Sequence, residues 1–175
     1  GIDMRVEGIV QSFHEIDFCQ SKPIEFRDGC FKMVRNPTKV VGSVLSSAKW
    51  ANLTLIDLKY RLATMGVCET ILNLGVPVLQ AFSGACIREG STRKLLTHDV
   101  SGSYYRAMIE MKKFGMTELR VMSPSPITAA ARASFHQAFG MDAATQIYWE
   151  NIFQQWSLPS RVVPMKWDLR RGFWE

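Results

Sequence analysis

The period of the hydrophobic pattern changes once along this chain, at Asn36-Pro37, and that change limits what the chain can become. Before it, apolar residues alternate: Ile16 and Phe18 share one face, and Ile24 and Phe26 resume it after Pro23. A period of two lays one side of a strand against a core. Arg27-Asp28-Gly29 is a turn signal, because glycine accepts the positive φ that a tight hairpin needs. On the return, Phe31 and Met33 alternate with Cys30, Lys32 and Val34. A β-hairpin is expected over roughly 16–34. Residues 4–10, with Met4, Val6, Ile9 and Val10, suit either a strand or a short helix.

After the change the spacing is helical. Asn36 is a good N-cap and Pro37 suits a first turn. Val40, Val41, Val44 and Leu45 then recur at helical spacing towards Lys49. The longest periodic segment spans about 53–74, with Leu55, Leu58, Leu62, Met65 and Leu72 on one stripe and Gly75 as its stop. "PVLQAFSGACI" reads as another helix ended by Gly90, and the polar, basic stretch from Ser91 to Val100 as a loop. Three more helices are expected near 102–114, 126–139 and 142–156, capped by Ser125 and Asp142 and stopped by Gly115 and Gly140. The fold class is thus α+β and mostly helical: a β-hairpin feeding a bundle of five or six helices. Such a bundle is either a free-standing domain or the helical part of an enzyme whose sheet lies elsewhere.

With 175 residues, 47% of them hydrophobic, the chain can bury an ordinary core, which argues against disorder. Gly1 opens directly into structured sequence, so a piece of a longer polypeptide is expected. There is no apolar run of membrane-spanning length and no basic region leading into an apolar one, so neither a spanning helix nor a signal peptide is expected. Cys19, Cys30, Cys68 and Cys86 are far apart, with no histidine at ligand spacing, and read as reduced cytosolic thiols. His14, His98 and His136 have no acid or nucleophile at a telling spacing and read as structural. The formal charge of +5 permits a polyanionic partner without demanding one.

Four elements in order, the second of them a hairpin written as its two strands, carry a resemblance. "GIDMRVEG", then "DFCQSKP" and "MVRNP", then "GVCETILNLGVPVLQAF" and "ARASFHQAFGMDAATQIYWE" resemble RNA-dependent RNA polymerases of positive-strand RNA viruses, tombusvirus-like and nodavirus-like ones above all. The resemblance covers residues 1 to about 150 and places them after the metal-binding Gly-Asp-Asp. It implies residues 1–35 as the end of the palm, with the remnant of motif D and the motif E primer-grip hairpin. It implies residues 36–175 as the helical thumb with its C-terminal tail.

Site roles follow from the same resemblance. Phe18, Cys19, Gln20 and Ser21 would form the primer grip, which holds the growing end of the RNA where small drifts cost rate. Phe18 would anchor the hairpin in the core while Cys19-Gln20-Ser21 offers short polar groups to ribose or phosphate; the plain alternative is that Cys19 and Gln20 end a strand. Arg35, with Lys22 and Lys39, would bind nucleotide or RNA phosphate, since a guanidinium matches phosphate oxygens bidentately. The plain alternative for Arg35 is a partly solvated cation near a helix start. A second arginine that flavivirus-like polymerases carry further into this helix is not matched: Ser43 stands near there. Arg5 occupies the motif D position usually held by lysine; its high pKa makes it a poor proton donor, leaving an electrostatic role on the pyrophosphate or that of a surface cation. Arg88, Arg93, Lys94, Arg106, Lys112, Lys113 and Arg132 fit a thumb that lines an RNA channel, or solvated surface. The aromatic tail "MKWDLRRGFWE" reads as an amphipathic tail packed on the thumb, or as a stacking element.

Two-metal phosphoryl transfer needs paired aspartates, and the sequence has neither Gly-Asp-Asp nor D-x4-D. Mg2+ (or Mn2+) would be held by upstream aspartates, so no metal ligand is expected here. The expected activity is RNA-directed RNA polymerisation by the full-length protein, with RNA template, nascent RNA, nucleoside triphosphates and the remainder of the polymerase as partners. The expected setting is the host cytoplasm, in a membrane-associated replication complex. The alternative is a non-catalytic helical RNA-binding or interaction domain of a viral accessory protein.

Overall fold

The computed structural model describes residues 9–27, 29–45, 53–97 and 102–158. Arg5, Asp28, Lys49, His98 and the aromatic tail beyond Leu158 lie outside them. A single turn of 3-10 helix at Phe13–Glu15 leads into strands β1 (Ser21–Arg27) and β2 (Cys30–Arg35). Helices α1 (Pro37–Leu45), α2 (Leu55–Asn73), α3 (Leu79–Glu89), α4 (Gly102–Lys113), α5 (Ala129–Phe139) and α6 (Ala143–Gln155) follow. The class is α+β and mostly helical.

The two strands pair antiparallel, with Ser21 opposite Arg35, Lys22 opposite Val34 and Ile24 opposite Lys32. Gly29, at φ +71, supplies the left-handed turn, and its N–H donates to Glu25 Oε1 at 2.7 Å. The hairpin nevertheless begins later than the alternation of Ile16 and Phe18 suggested. The chain reverses at Phe18–Ser21, so Phe18 is 68% exposed and does not anchor the core. Ile24 and Val34 do that work, packed with Val40, Val41 and Val44 of α1. β1 is covered on its other flank by α5, where Ser134 Oγ accepts from the Glu25 N–H at 2.9 Å.

Helix α2 is the centre of the bundle, contacting α3 on one side and α4 on another. The single apolar stripe expected of it is not what the fold uses. Leu55 is 46% exposed, while every residue from Leu62 to Ile71 is buried, polar ones included. Two neighbours on different sides demand burial all round, which erases the amphipathic signal. The threonines are satisfied within the helix: Thr64 and Thr70 hydroxyls donate to the carbonyls of Tyr60 and Gly66, each at 2.8 Å.

Capping was largely readable. Asn36 Oδ1 accepts from the Thr38 N–H at 3.0 Å, Asp142 Oδ1 from the Thr145 N–H at 2.7 Å, and Gly140 ends α5 in the left-handed region. Helix α5, however, starts at Ala129 with Thr128 as its cap, not near Pro126 with Ser125. Gln80 explains this: its side chain accepts from the Ser125 N–H at 3.0 Å and donates to the Ser125 carbonyl at 2.8 Å, which holds that residue in the connection. Gly90 does end α3, but at φ −82; a Cβ there would lie 2.6 Å from the Ala63 nitrogen, so close helix packing is what excludes a side chain.

All four cysteines are free, and burial pushes the Cys68 thiol up to about 12. No described helix is long and apolar enough to cross a membrane.

Candidate functional site

The reversal before β1 is closed by two backbone bonds: Phe18 N–H to the Ser21 carbonyl at 2.9 Å, and Ser21 N–H to the Phe18 carbonyl at 3.0 Å. Cys19 and Gln20 between them have φ of +53 and +62. Two positive φ values make a turn that normally takes Asn-Gly, because a Cβ crowds the following carbonyl there. Holding ordinary residues in that region costs about 1 kcal/mol or more each. The Asn36 N–H donates to the Gln20 carbonyl at 2.9 Å, which ties the tip to the start of α1. Tip, Arg35 and helix cap therefore form one rigid unit.

That unit borders a cleft of about 560 Å³. Its hairpin wall presents Phe18, Cys19, Ser21 and Arg35, and its helical wall presents Glu69 of α2 with Arg106 and Lys113 of α4; Phe114 follows α4 at the rim. The basic groups differ in what they already do. Lys32 Nζ donates to the carbonyls of Leu72 and Leu74 at 3.5 and 3.2 Å and sits 4.4 Å from the centre of the Phe26 ring. Burial lowers its pKa, with Glu110 opposing. Lys32 thus closes the C-terminal end of α2. Lys113 pairs with Glu110 at 2.7 Å. The Arg35 guanidinium makes no hydrogen bond or ion pair among the described residues. A half-buried arginine without an internal partner, set on a rigid strand end at a cleft, is a ready phosphate ligand.

The structure divides the residues singled out from the sequence. Phe18, Cys19, Ser21 and Arg35 share the cleft, whereas Gln20, Lys22 and Lys39 border a recess of about 170 Å³ with Asp17, Asn36 and Phe139. Strand alternation is the cause: Lys22 and Arg35 are one position out of register and lie on opposite faces. Among the basic thumb residues, Arg106 and Lys113 reach the cleft. Arg132 makes a bidentate pair with Glu150 at 3.0 and 2.9 Å, and Arg88 donates to the carbonyls of Phe153 and Trp156 at 3.0 and 2.6 Å, which closes the end of α6. Both are structural.

Glu69 was not foreseen. An acid in the midst of "ATMGVCETILN" looks like one solvated charge on a helix, yet it is 2% exposed. The signal was its neighbourhood, a run with no polar face to carry it.

The carboxylates of the cleft do not suit a divalent ion. Glu69 is bonded to Asn73, Ser103 and Arg106, and Glu110 to Lys113. No group of three or more His, Cys, Asp or Glu side chains that could hold a metal ion occurs among the described residues.

A family model described as viral RNA dependent RNA polymerase matches residues 1–161. The chain is 31% identical over 150 residues, 79% of its length, to the RNA-directed RNA polymerase of turnip crinkle virus. It is 29% identical over 168 residues, 94% of its length, to that of carnation mottle virus, and 27% identical over 165 residues, 91% of its length, to that of groundnut rosette virus (strain MC1). It spans only 18–20% of the length of these relatives. No solved structure matches the chain.

Proposed function

This chain belongs to the viral RNA-dependent RNA polymerase family, and on that premise we propose that it supplies the primer grip and the thumb wall of the RNA channel in such a polymerase. The whole enzyme joins the hydroxyl oxygen at the growing end of an RNA to the α-phosphorus of a nucleoside triphosphate, and pyrophosphate leaves. Two divalent ions, Mg2+ or Mn2+, would supply charge stabilisation to that chemistry when bound. Their ligands would come from other parts of the polymerase, since Glu69 and Glu110 of the cleft are already bonded and no group of three or more potential ligands occurs among the described residues.

The chain's own contribution is positional. The Cys19-Gln20 tip is fixed by its closing bonds and by Asn36, so it can support a ribose or phosphate without giving way. Arg35 leaves the same rigid strand end and offers its fork to phosphate oxygens, either on RNA or on an incoming triphosphate. Phe18 and Phe114 add exposed aromatic surface on which a base can stack. The single observation that carries this reading is the Arg35 guanidinium, without a partner among the described residues, in a cleft bordered by the strained tip.

Arg35→Ala in the full-length polymerase is expected to lower initiation from free nucleoside triphosphates more than elongation of a preformed primer, because the initiating nucleotide has no duplex to hold it. Equal losses in the two assays, or none, would remove the triphosphate role.

A further inference from the structure

The helical wall of the cleft hides a buried carboxylate beneath its outermost guanidinium. Glu69 lies mid-helix in α2, where burying a charge costs several kcal/mol unless it is paired and fully bonded. It is bonded: Asn73 Nδ2 donates to Oε2 at 2.9 Å, the Ser103 hydroxyl donates to Oε1, and Arg106 Nη2 stands 3.7 Å from the same oxygen. These partners come from two helices and converge on one side chain.

Arg106 is held from below and left open above. Its Nε donates to the Gly102 carbonyl at 3.4 Å and its Nη2 to Ser103 Oγ at 3.3 Å, while its side chain stays 39% exposed. A guanidinium carries more N–H donors than these contacts use. The contrast with Arg132 is instructive, since that residue meets Glu150 through two bonds of 3.0 Å or less and has little left to offer. At 3.7 Å the Glu69–Arg106 contact is a tether that orients the arginine without consuming it.

We propose that Arg106 is a second phosphate-binding residue, closing on the same phosphate as Arg35 from the opposite wall, and that Glu69 is the positioning residue that aims it. The inference rests on the cleft being where the polymerase holds RNA or nucleotide. The donors of the cleft favour it: Lys113 is taken up by Glu110 at 2.7 Å and Lys32 by carbonyls, so the N–H groups left open are those of Arg35 and of Arg106, whose ion pair with Glu69 is long at 3.7 Å. Two guanidiniums bracketing one phosphate, with Phe18 and Phe114 beside them, fit a nucleotide unit better than a bare carboxylate.

Glu69→Gln separates positioning from charge by the sign of its effect. If Glu69 were only a negative charge near the cleft, its removal would tighten phosphate binding. As a positioning residue its loss lets Arg106 swing away, and binding weakens. The experiment measures the affinity of the full-length polymerase for a fluorescent single-stranded oligouridylate and for UTP, over graded salt, with thermal midpoints recorded for each variant. Arg106→Ala, whose thermal midpoint must be read first because it leaves the buried Glu69 without its cation, is expected to weaken binding per folded molecule about tenfold, the loss of one charge-assisted hydrogen-bonded contact. For the oligouridylate it should also flatten the salt dependence by about 0.7 in the log–log slope. Glu69→Gln should weaken binding in the same assay and add nothing to Arg106→Ala. Loss for the oligouridylate alone assigns the phosphate to RNA, loss for UTP alone to the triphosphate, and either supports the site.

Unchanged affinity for both probes in Arg106→Ala overturns the proposal, and tighter or unchanged binding in Glu69→Gln overturns the positioning role. Arg35→Ala run alongside tells the two levels apart. If it weakens binding while Arg106→Ala does not, this inference alone fails; if neither matters and RNA still binds, the siting of RNA in this cleft fails first.

Discussion

At the scale of single residues, the tip is where local preference is overruled. Cys19 and Gln20 occupy left-handed backbone that glycine would adopt freely. Gln20→Gly is therefore expected to stabilise the protein by about 1 kcal/mol in chemical denaturation, while initiation by the polymerase falls because the tip gains freedom. A loss of stability instead would mean that the Gln20 side chain makes up for its strain by contacts. The sequence drew notice to "FCQS" because the segment is polar where a strand should end. It could not show that the chain reverses there. The alternation of Ile16 and Phe18 mimicked a strand, and only the Phe18–Ser21 closure reveals the turn. Arg35 was legible as a cation before a helix start. That it has no partner among the described residues depends on what other elements bring near it.

At the scale of elements, the caps were legible and the helix faces were not. Asn36 before Pro37, and Asp142 before α6, act within three residues of their own position, so the sequence contains the whole interaction. Thr128 displaced Ser125 because Gln80, far away in the chain, claims the backbone of Ser125. Two predictions belong here. The Thr145 N–H bond holds the Asp142 carboxyl below its ordinary value. Its contribution is thus complete above the ordinary carboxylate range and fades as pH falls through the lowered value. The protection factor of the Thr145 amide, its exchange rate divided into the intrinsic rate at each pH, should fall on acidification, and Asp142→Asn, which caps without titrating, should abolish that dependence. The second concerns α2 and α3. A Cβ on Gly66 would lie 2.8 Å from the Ser83 carbonyl oxygen and 2.9 Å from Cys86 Cβ. Helix propensity favours alanine over glycine by about 1 kcal/mol, but forced overpacking of two backbones costs typically 1–3 kcal/mol. Gly66→Ala should be destabilising in a denaturant titration; a gain would show that the helices part easily.

At the scale of the molecule, Arg88 and Arg132 hold the fold while Arg35 and Arg106 face the cleft. Arg132 joins α5 to α6 through Glu150, whose Oε1 also accepts from the Val78 N–H at 3.0 Å. Arg132→Ala strands that carboxylate and is expected to cost about 3 kcal/mol of stability, with RNA affinity per folded molecule unchanged. A fall in RNA affinity at full folding would place Arg132 on the channel instead. The overall class, a hairpin leading into a helical bundle, was readable because periodicity is local. The cleft was not, since its walls come from β2, α2 and α4 and meet only through packing. The same packing buried Glu69 and divided Lys22 from Arg35. The central claim is that RNA lies in that cleft, and photo-crosslinking tests it most directly. A thiouridine-terminated RNA bound to the full-length polymerase should crosslink to peptides that carry Phe18-Cys19 or Phe114. Crosslinks falling on the outer faces of α5 and α6, with none at the hairpin tip, would contradict it.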